Sequence, residues 1–228
     1  MKWNLWSVII ALAFFGMLGS MSSCGCEDEI EEAATVEKEV ELPSQNVPVD
    51  MTDVPYPETG EGKPVVKEER DILTLGPIDV PLADAIDKAL ELAGQSGTGD
   101  SIEEKLEKLD KVIISKVVFD IKENTVTQPG LAIYLRISEY GDHDVDNSVQ
   151  LVSIPSIEPG KVTKVTIETP EEEQDKQGEI LRSGQFTLWI QVKFFVDTEK
   201  YPNPPEGKVD IDVTMVAKFI VKLLEGEL

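Results

Sequence analysis

The sequence predicts an all-β fold: an antiparallel Greek-key β-sandwich of about seven strands, with one or two short helices near its N-terminal end and a disordered acidic tether before it. Three observations carry this expectation. Apolar residues recur with period two in several separate runs, turn signals punctuate those runs at short intervals, and cysteine, histidine and glycine-rich loop chemistry is nearly absent.

The clearest strands come from strict alternation. Leu131, Ile133, Leu135 and Ile137 alternate with Ala132, Tyr134, Arg136 and Ser138, and Phe186, Leu188, Ile190, Val192 and Phe194 alternate with Thr187, Trp189, Gln191 and Lys193. Val209, Ile211, Val213 and Met215 alternate with Asp210, Asp212, Thr214 and Val216, before an apolar stretch around Phe219, Ile220 and Val221. Successive side chains of a strand point to opposite faces, so each run presents one continuous apolar face. Ile113, Ser115, Val117, Phe119 and Ile121 form a fourth series. Leu151 to Ile154, Val162 to Ile167 and Ile72 to Val80 supply shorter strands. Gln128-Pro129-Gly130, Glu158-Pro159-Gly160 and Tyr201-Pro202-Asn203-Pro204-Pro205 mark turns. A flattened barrel satisfies the same pattern and stands as the alternative to the sandwich.

Helical spacing interrupts the β pattern once. Leu82, Ala85, Ile86, Ala89, Leu90 and Leu92 have helical spacing, with Pro81 before them and Gly94 after. Ser101-Ile102-Glu103-Glu104 has the form of a capping box that opens a second short helix. These helices are expected to cover one end of the sandwich and to bury Ile86 and Leu90.

The chain divides at this stage into residues 1–23, 24–70 and 71–228. Lys2 precedes an apolar stretch from Leu5 to Leu18, the order of a secretory signal peptide. That stretch is about 15 residues, short of the roughly 20 needed for a helix to span a bilayer, so it reads as a cleaved signal. Residues 24–70 begin with Glu27, Asp28, Glu29, Glu31, Glu32, Glu37, Glu39 and Glu41 and continue through Pro43, Pro48, Pro55, Pro57, Gly60, Gly62 and Pro64. Such a segment buries too little apolar area to offset its ordering entropy, and it reads as a disordered tether of roughly 35–40 Å in a flexible-coil estimate. Residues 71–228 are enough for one domain with its own core.

Met21-Ser22-Ser23-Cys24 resembles the lipobox of bacterial lipoproteins: a medium apolar residue, two small residues, then cysteine. Met21 departs from the leucine usual at the first position. The resemblance covers these four residues and the signal before them. It implies cleavage before Cys24, acylation of the Cys24 thiol and of its freed amino group, and anchoring through more than one chain, each buried CH₂ contributing about 0.8 kcal/mol. It implies an exported, membrane-attached protein, and Gly25 in place of aspartate implies the outer membrane in a Gram-negative cell.

Composition sets the function classes. With 44 acidic against 21 basic residues and a net charge of −23, the chain lacks the clustered cations that phosphate backbones require, so no nucleic-acid partner is expected. Cys26 is the one cysteine besides Cys24, so no intramolecular disulfide staples the domain and no thiolate cluster holds zinc or iron. His143 is the sole histidine, no Gly-x-Ser-x-Gly elbow is present, and Gly94 to Gly99 lacks the lysine of a phosphate-binding loop. No catalytic residue and no cofactor is assigned.

Two candidate sites remain. Asp142, Asp144 and Asp146 alternate as the ligands of a Ca²⁺ loop do, although Asn147 stands where an EF-hand has glycine and Ser153 where it has glutamate. A polar hairpin loop explains the same residues. Trp189, with Phe195 on the same side, lies on the strand face opposite the core series, where large aromatics stack a sugar ring or meet another protein. The leading function is therefore a lipid-anchored envelope protein whose domain is a non-catalytic binding or assembly module for a protein or glycan. A polysaccharide-acting carboxylate enzyme and a purely structural envelope protein are the alternatives.

Overall fold

The computed structural model describes residues 34–96 and 99–223. They belong to one compact unit, Ala33–Leu228. Nine strands and three helices follow in chain order: β1 Thr35–Glu41, β2 Gln45–Asp50, β3 Lys67–Pro81, α1 Ala83–Leu92, α2 Ile102–Glu107, β4 Leu109–Asn124, β5 Leu131–Glu139, β6 Val149–Ile157, β7 Lys164–Glu168, α3 Glu171–Leu181, β8 Gln185–Asp197 and β9 Lys208–Lys222.

The strands form two antiparallel sheets. One has the order β1-β9-β4-β7 with β2 also on β9, and the other has the order β3-β8-β5-β6. β4 runs along one side of β9 from Val209 to Val221, so β1 and β2 share its other side, β1 against Val216 to Lys222 and β2 against Lys208 to Val213. They act as one edge strand broken at Pro43. Counted that way, the chain visits the sheets alternately, except that β5 and β6 are neighbours in the same sheet. This is the eight-strand plan of a jelly roll, two Greek keys wrapped into a sandwich. Two separate sheets exclude the flattened barrel.

The core between the sheets is the one the alternation predicts. Leu131, Ile133, Leu135 and Ile137 of β5, Phe186 to Phe194 of β8 and Val209 to Met215 of β9 all bury their apolar series. In β4 the parity changes. A bulge between Ile114 and Lys116 leaves Ser115 as an extra residue, so Val117, Phe119 and Ile121 point inward after it, whereas Val112 and Ile114, rather than Ile113, join the core before it. Gln177 closes the bulge, its Oε1 accepting from the Ile114 N–H at 2.9 Å.

The helices at 83–92 and 102–107 match expectation. Ile86 and Leu90 are buried, and Ser101 forms the complete capping box, its hydroxyl accepting from Glu104 N–H at 3.2 Å while its own N–H donates to Glu104 Oε2 at 2.7 Å. α3 has no counterpart in the sequence expectation. Pro170 precedes it and Glu171, Glu172 and Glu173 fill its first turn, where carboxylates oppose the helix dipole. It offers only Gln177, Ile180 and Leu181 to the interior, too few apolar residues to mark an amphipathic period.

For the described part of residues 24–70, which starts at Ala34, the domain boundary at residue 71 and the disordered reading are corrected by β1, β2 and the first half of β3. In Thr35–Glu41 the glutamates occupy alternate positions, so Glu37, Glu39 and Glu41 form the wet face of an edge strand, while Val36, Lys38 and Val40 lie toward the protein. Val47 and Val49 of β2 are buried, as are Leu42, Met51 and Val54 around them. Pro48 is tolerated because an edge strand need not donate on its open side. Within what looked like an acid-rich, proline-rich spacer lies period-two patterning whose exposed half is mostly glutamate in β1 and is Asn46 and Pro48 in β2.

The acids of β1 also have partners. Lys218 Nζ lies 3.1 Å from Glu37, and Lys116 Nζ reaches across β9 to Glu39 Oε2 at 2.6 Å. The hydrogen bond from Lys116, reinforced by charge and by Ser115, holds the Glu39 carboxyl below its ordinary range against a smaller opposing effect of burial. A depressed carboxylate pKa adds stability above the unfolded value and loses it as pH falls through the folded value. Glu39→Gln is therefore expected to lower stability by less than about 1 kcal/mol at neutral pH, because the pair is largely exposed. The difference from wild type should vanish once the pH lies below the folded pKa of Glu39. Urea melts of both chains as a function of pH check this.

Candidate functional site

The outer face of the β3-β8-β5-β6 sheet places Trp189 and Phe195 on one side, as the alternation predicts, but treats them differently. Trp189 is 5% exposed and Phe195 is 46% exposed. The indole N–H of Trp189 donates to Ser138 Oγ at 3.2 Å, and β3 covers the ring where its register slips between Leu75 and Ile78. Gly76 makes that cover possible: a Cβ there would sit 2.7 Å from Trp189 Cε3. Trp189 is thus a buried, hydrogen-bonded packing residue and is removed from the ligand-surface reading. Phe195 stays at the surface, opposite Glu69 on β3.

The same face carries a group that the sequence reading did not single out. Tyr134 donates its hydroxyl to Glu69 Oε1 at 2.7 Å, and Lys193 Nζ sits 5.5 Å from the centre of its ring. The bond to Glu69 raises the phenol pKa, since it holds the proton in place beside a carboxylate. Lys193 also lies 3.4 Å from Asp71 and 3.9 Å from Glu69. Residues from three adjacent strands meet here, a juxtaposition that only the strand order reveals.

Asp142, Asp144 and Asp146 lie in the connection between β5 and β6. Their alternation builds successive side-chain turns: Asp142 Oδ1 accepts from Asp144 N–H at 3.0 Å, and Asp144 Oδ1 accepts from Asp146 N–H at 3.0 Å. Asn147 Nδ2 donates to Asp142 Oδ2 at 3.1 Å. The carboxylates of Asp142 and Asp144 are engaged by the loop itself. Among the described residues no three His, Cys, Asp or Glu side chains converge in a way that would hold a metal ion. These contacts fit the polar hairpin that also explains the alternation. Addition of millimolar CaCl₂ is accordingly expected to produce no binding heat and no change in Tm, and a saturable heat lost in Asp144→Ala would contradict it.

Two clefts lie along the open sides of the sandwich. One, of 590 Å³, runs between β6 and β7 under the start of α3, with Val149, Leu151, Val152 and Ile167 in its floor and Glu168, Glu172, Glu173 and Lys176 at its rim. The other, of 320 Å³, lies between β2 and β3 and is bordered by Asp50, Asp53, Glu123, Lys208 and Asp210. Both are within the roughly 300–1,000 Å³ of ordinary binding sites, the second at the lower end.

Carboxylates with displaced pKa values are shifted downward. Lys116 lowers Glu39, the Thr52 backbone N–H lowers Asp50, and Lys111 lowers Asp175. A general acid of the glycosidase kind needs the opposite displacement. Cys24 and the signal segment lie outside the described residues; among the described residues no helix is long and apolar enough to cross a membrane.

No family model matches the sequence, and no curated protein matches it. Solved structures with a similar course of chain are the decameric BFDV capsid protein, at TM-score 0.34 and 9% identity over 81% of this chain and 99% of that one. The VP2 subviral particle of infectious bursal disease virus follows at TM-score 0.30 and 6% identity, covering 89% of this chain and 38% of that one. The Triatoma virus empty capsid has TM-score 0.29 and 15% identity, over 82% and 92% respectively.

Proposed function

We propose that this chain is an exported bacterial lipoprotein, anchored through acyl groups on Cys24, whose jelly-roll domain serves the envelope as a non-catalytic binding or assembly module. The observation that carries the reading is Met21-Ser22-Ser23-Cys24 directly after the charged-then-apolar segment Lys2 to Leu18. Acylation at more than one position supplies stable anchoring where a single chain is marginal.

The position of β1 refines the arrangement. Cys24 and Ala34 are ten residue steps apart in the sequence. Whatever their conformation, that length of chain reaches at most about 35 Å. The longer spacer expected from residues 24–70 is replaced by a short one, and the domain is held close to the membrane with the Ala34 end nearest the anchor. The full chain's charge of −23 repels anionic lipid headgroups, so lipid attachment on Cys24 rather than surface electrostatics has to provide the attachment.

Fractionation of bacteria expressing the full chain tests this. The protein is expected in the membrane fraction, released by detergent and not by high salt, and accessible to protease once the envelope is opened. Recovery in the cytosolic fraction would overturn both export and anchoring.

A further inference from the structure

We infer that Val149–Ser153, the first half of β6, is a docking edge for an extended, basic segment of a partner protein, which adds to the β3-β8-β5-β6 sheet as a further strand. The inference rests on the binding-module reading of the domain and is independent of the lipid anchor.

A sandwich of two open sheets has unpaired strand edges, and each is a template for unwanted pairing unless it is blunted. Among the described residues, the outer edges of this molecule are protected in different ways. The β1–β2 edge carries Glu37, Glu39, Glu41, Pro43 and Pro48. The β3 edge carries Lys67, Glu68, Glu69, Arg70 and Asp71 and then the irregularity at Gly76-Pro77. β7 is only five residues long. β6, which ends its sheet, has Pro155 in its second half, but Val149-Gln150-Leu151-Val152-Ser153 holds neither a charge nor a proline. That unprotected stretch is the part of β6 that lines the 590 Å³ cleft.

The stretch is also held in place. Arg136 donates from Nε to Ser148 Oγ at 2.7 Å and from Nη2 to the Ser148 carbonyl at 2.8 Å, fixing the residue where β6 begins. Opposite it, Ile167 of β7 adds an apolar wall, and Glu168 and Glu172 stand exposed at the rim. Glu173 is neutralised by Lys176 at 3.0 Å, whereas among the described residues Glu168 and Glu172 are in no ion pair. An incoming strand with alternating apolar and basic side chains satisfies both halves of this geometry: its backbone pairs with β6, one face meets Leu151 and Ile167, and the other meets Glu168 and Glu172. The same acids repel a second copy of this acidic chain, and so turn an aggregation hazard into a selective edge.

The test uses the full chain in detergent and a synthetic peptide, acetyl-(Val-Lys)₄-amide. The expected result is saturable binding that weakens with added NaCl, with slowed amide hydrogen exchange at Val149–Ser153. Methylation of alternate peptide nitrogens, which blocks strand pairing but keeps the charge, is expected to weaken binding at least tenfold, as is the Glu168→Lys/Glu172→Lys variant. Both positions are exposed, and because Glu172 stands in the first turn of α3, a parallel Glu168→Lys/Glu172→Gln variant, expected to weaken binding in the same direction, separates loss of charge from a loosened helix. Equal binding of the methylated peptide, equal binding by the variant, unchanged exchange at Val149–Ser153, or protection there through dimerisation without peptide would each overturn the proposal. Loss of the site on a chain that still fractionates with membranes removes only the docking edge, whereas peptide binding by an unanchored chain removes only the anchor.

Discussion

A chain that begins at Asp71 is expected not to fold. It lacks β1 and β2, and with them the buried side chains of Val40, Leu42, Val47, Val49, Met51 and Val54. Each such side chain contributes about 1.5–3 kcal/mol when fully buried, and together they match or exceed the roughly 5–15 kcal/mol by which a whole domain is stable. The truncation also strips β9 along its full length and leaves a long apolar strand as an open edge, a setting for aggregation. A chain that begins at Ala33 is expected to melt cooperatively, and the Asp71 chain to elute as aggregate without a thermal transition. A soluble Asp71 chain with an unchanged Tm would show that β1 and β2 are dispensable.

Trp189→Ala is expected to cost about 3–5 kcal/mol, the range for deleting a large buried aromatic. The ring is enclosed by β3, and its N–H bond to Ser138 is made inside the sheet face rather than in water. Gly76→Ala attacks the same contact from the other side. Its Cβ meets Trp189 Cε3 at 2.7 Å and the Leu188 carbonyl at 2.8 Å, at a φ of +133° that L-residues rarely adopt. Both variants are expected to shift the denaturation midpoint strongly, while Phe195→Ala, at an exposed position, shifts it little. Denaturant melts followed by circular dichroism measure all three. A change below about 1 kcal/mol in Trp189→Ala would return this residue to the surface.

The two outcomes share a cause that also sets how far the sequence was legible. Alternation reports which side chains share a face, and it located β3 through β9 because each carries a recognisably apolar series, only partly buried in β3 and β7. It does not report what lies on the other face. Trp189 was assigned correctly to the outer face, yet its cover comes from Gly76-Pro77, more than a hundred residues away, through an irregularity in strand register that no local pattern encodes. In β1 the failure ran the other way. Glu37, Glu39 and Glu41 swamped the signal of Val36 and Val40, and the lysines that match those acids, Lys116 and Lys218, arrive from distant strands.

Ser115 and α3 escaped for related reasons. The bulge at Ser115 is stabilised by Gln177, a polar side chain from another element, so the uninterrupted series from Ile113 to Ile121 looked like a single face. The Asp142 to Asn147 pattern was legible as a loop with inward-turning oxygens, but the same spacing serves a cation and a run of side-chain turns equally well. Tyr134, Glu69 and Lys193 are brought together by sheet order alone.

The proposed lipid anchor would decide how all of this is presented to the cell, and the mature N-terminus is where it is read. The full chain and its Cys24→Ser variant, each extracted from membranes and analysed by mass spectrometry, give the measurement. The proposed function requires that the wild-type chain begin at Cys24 and carry a diacylglycerol-sized increment there, absent from the variant. A wild-type chain that begins elsewhere, or at an unmodified Cys24, would contradict it and leave a jelly-roll domain with no hold on the membrane.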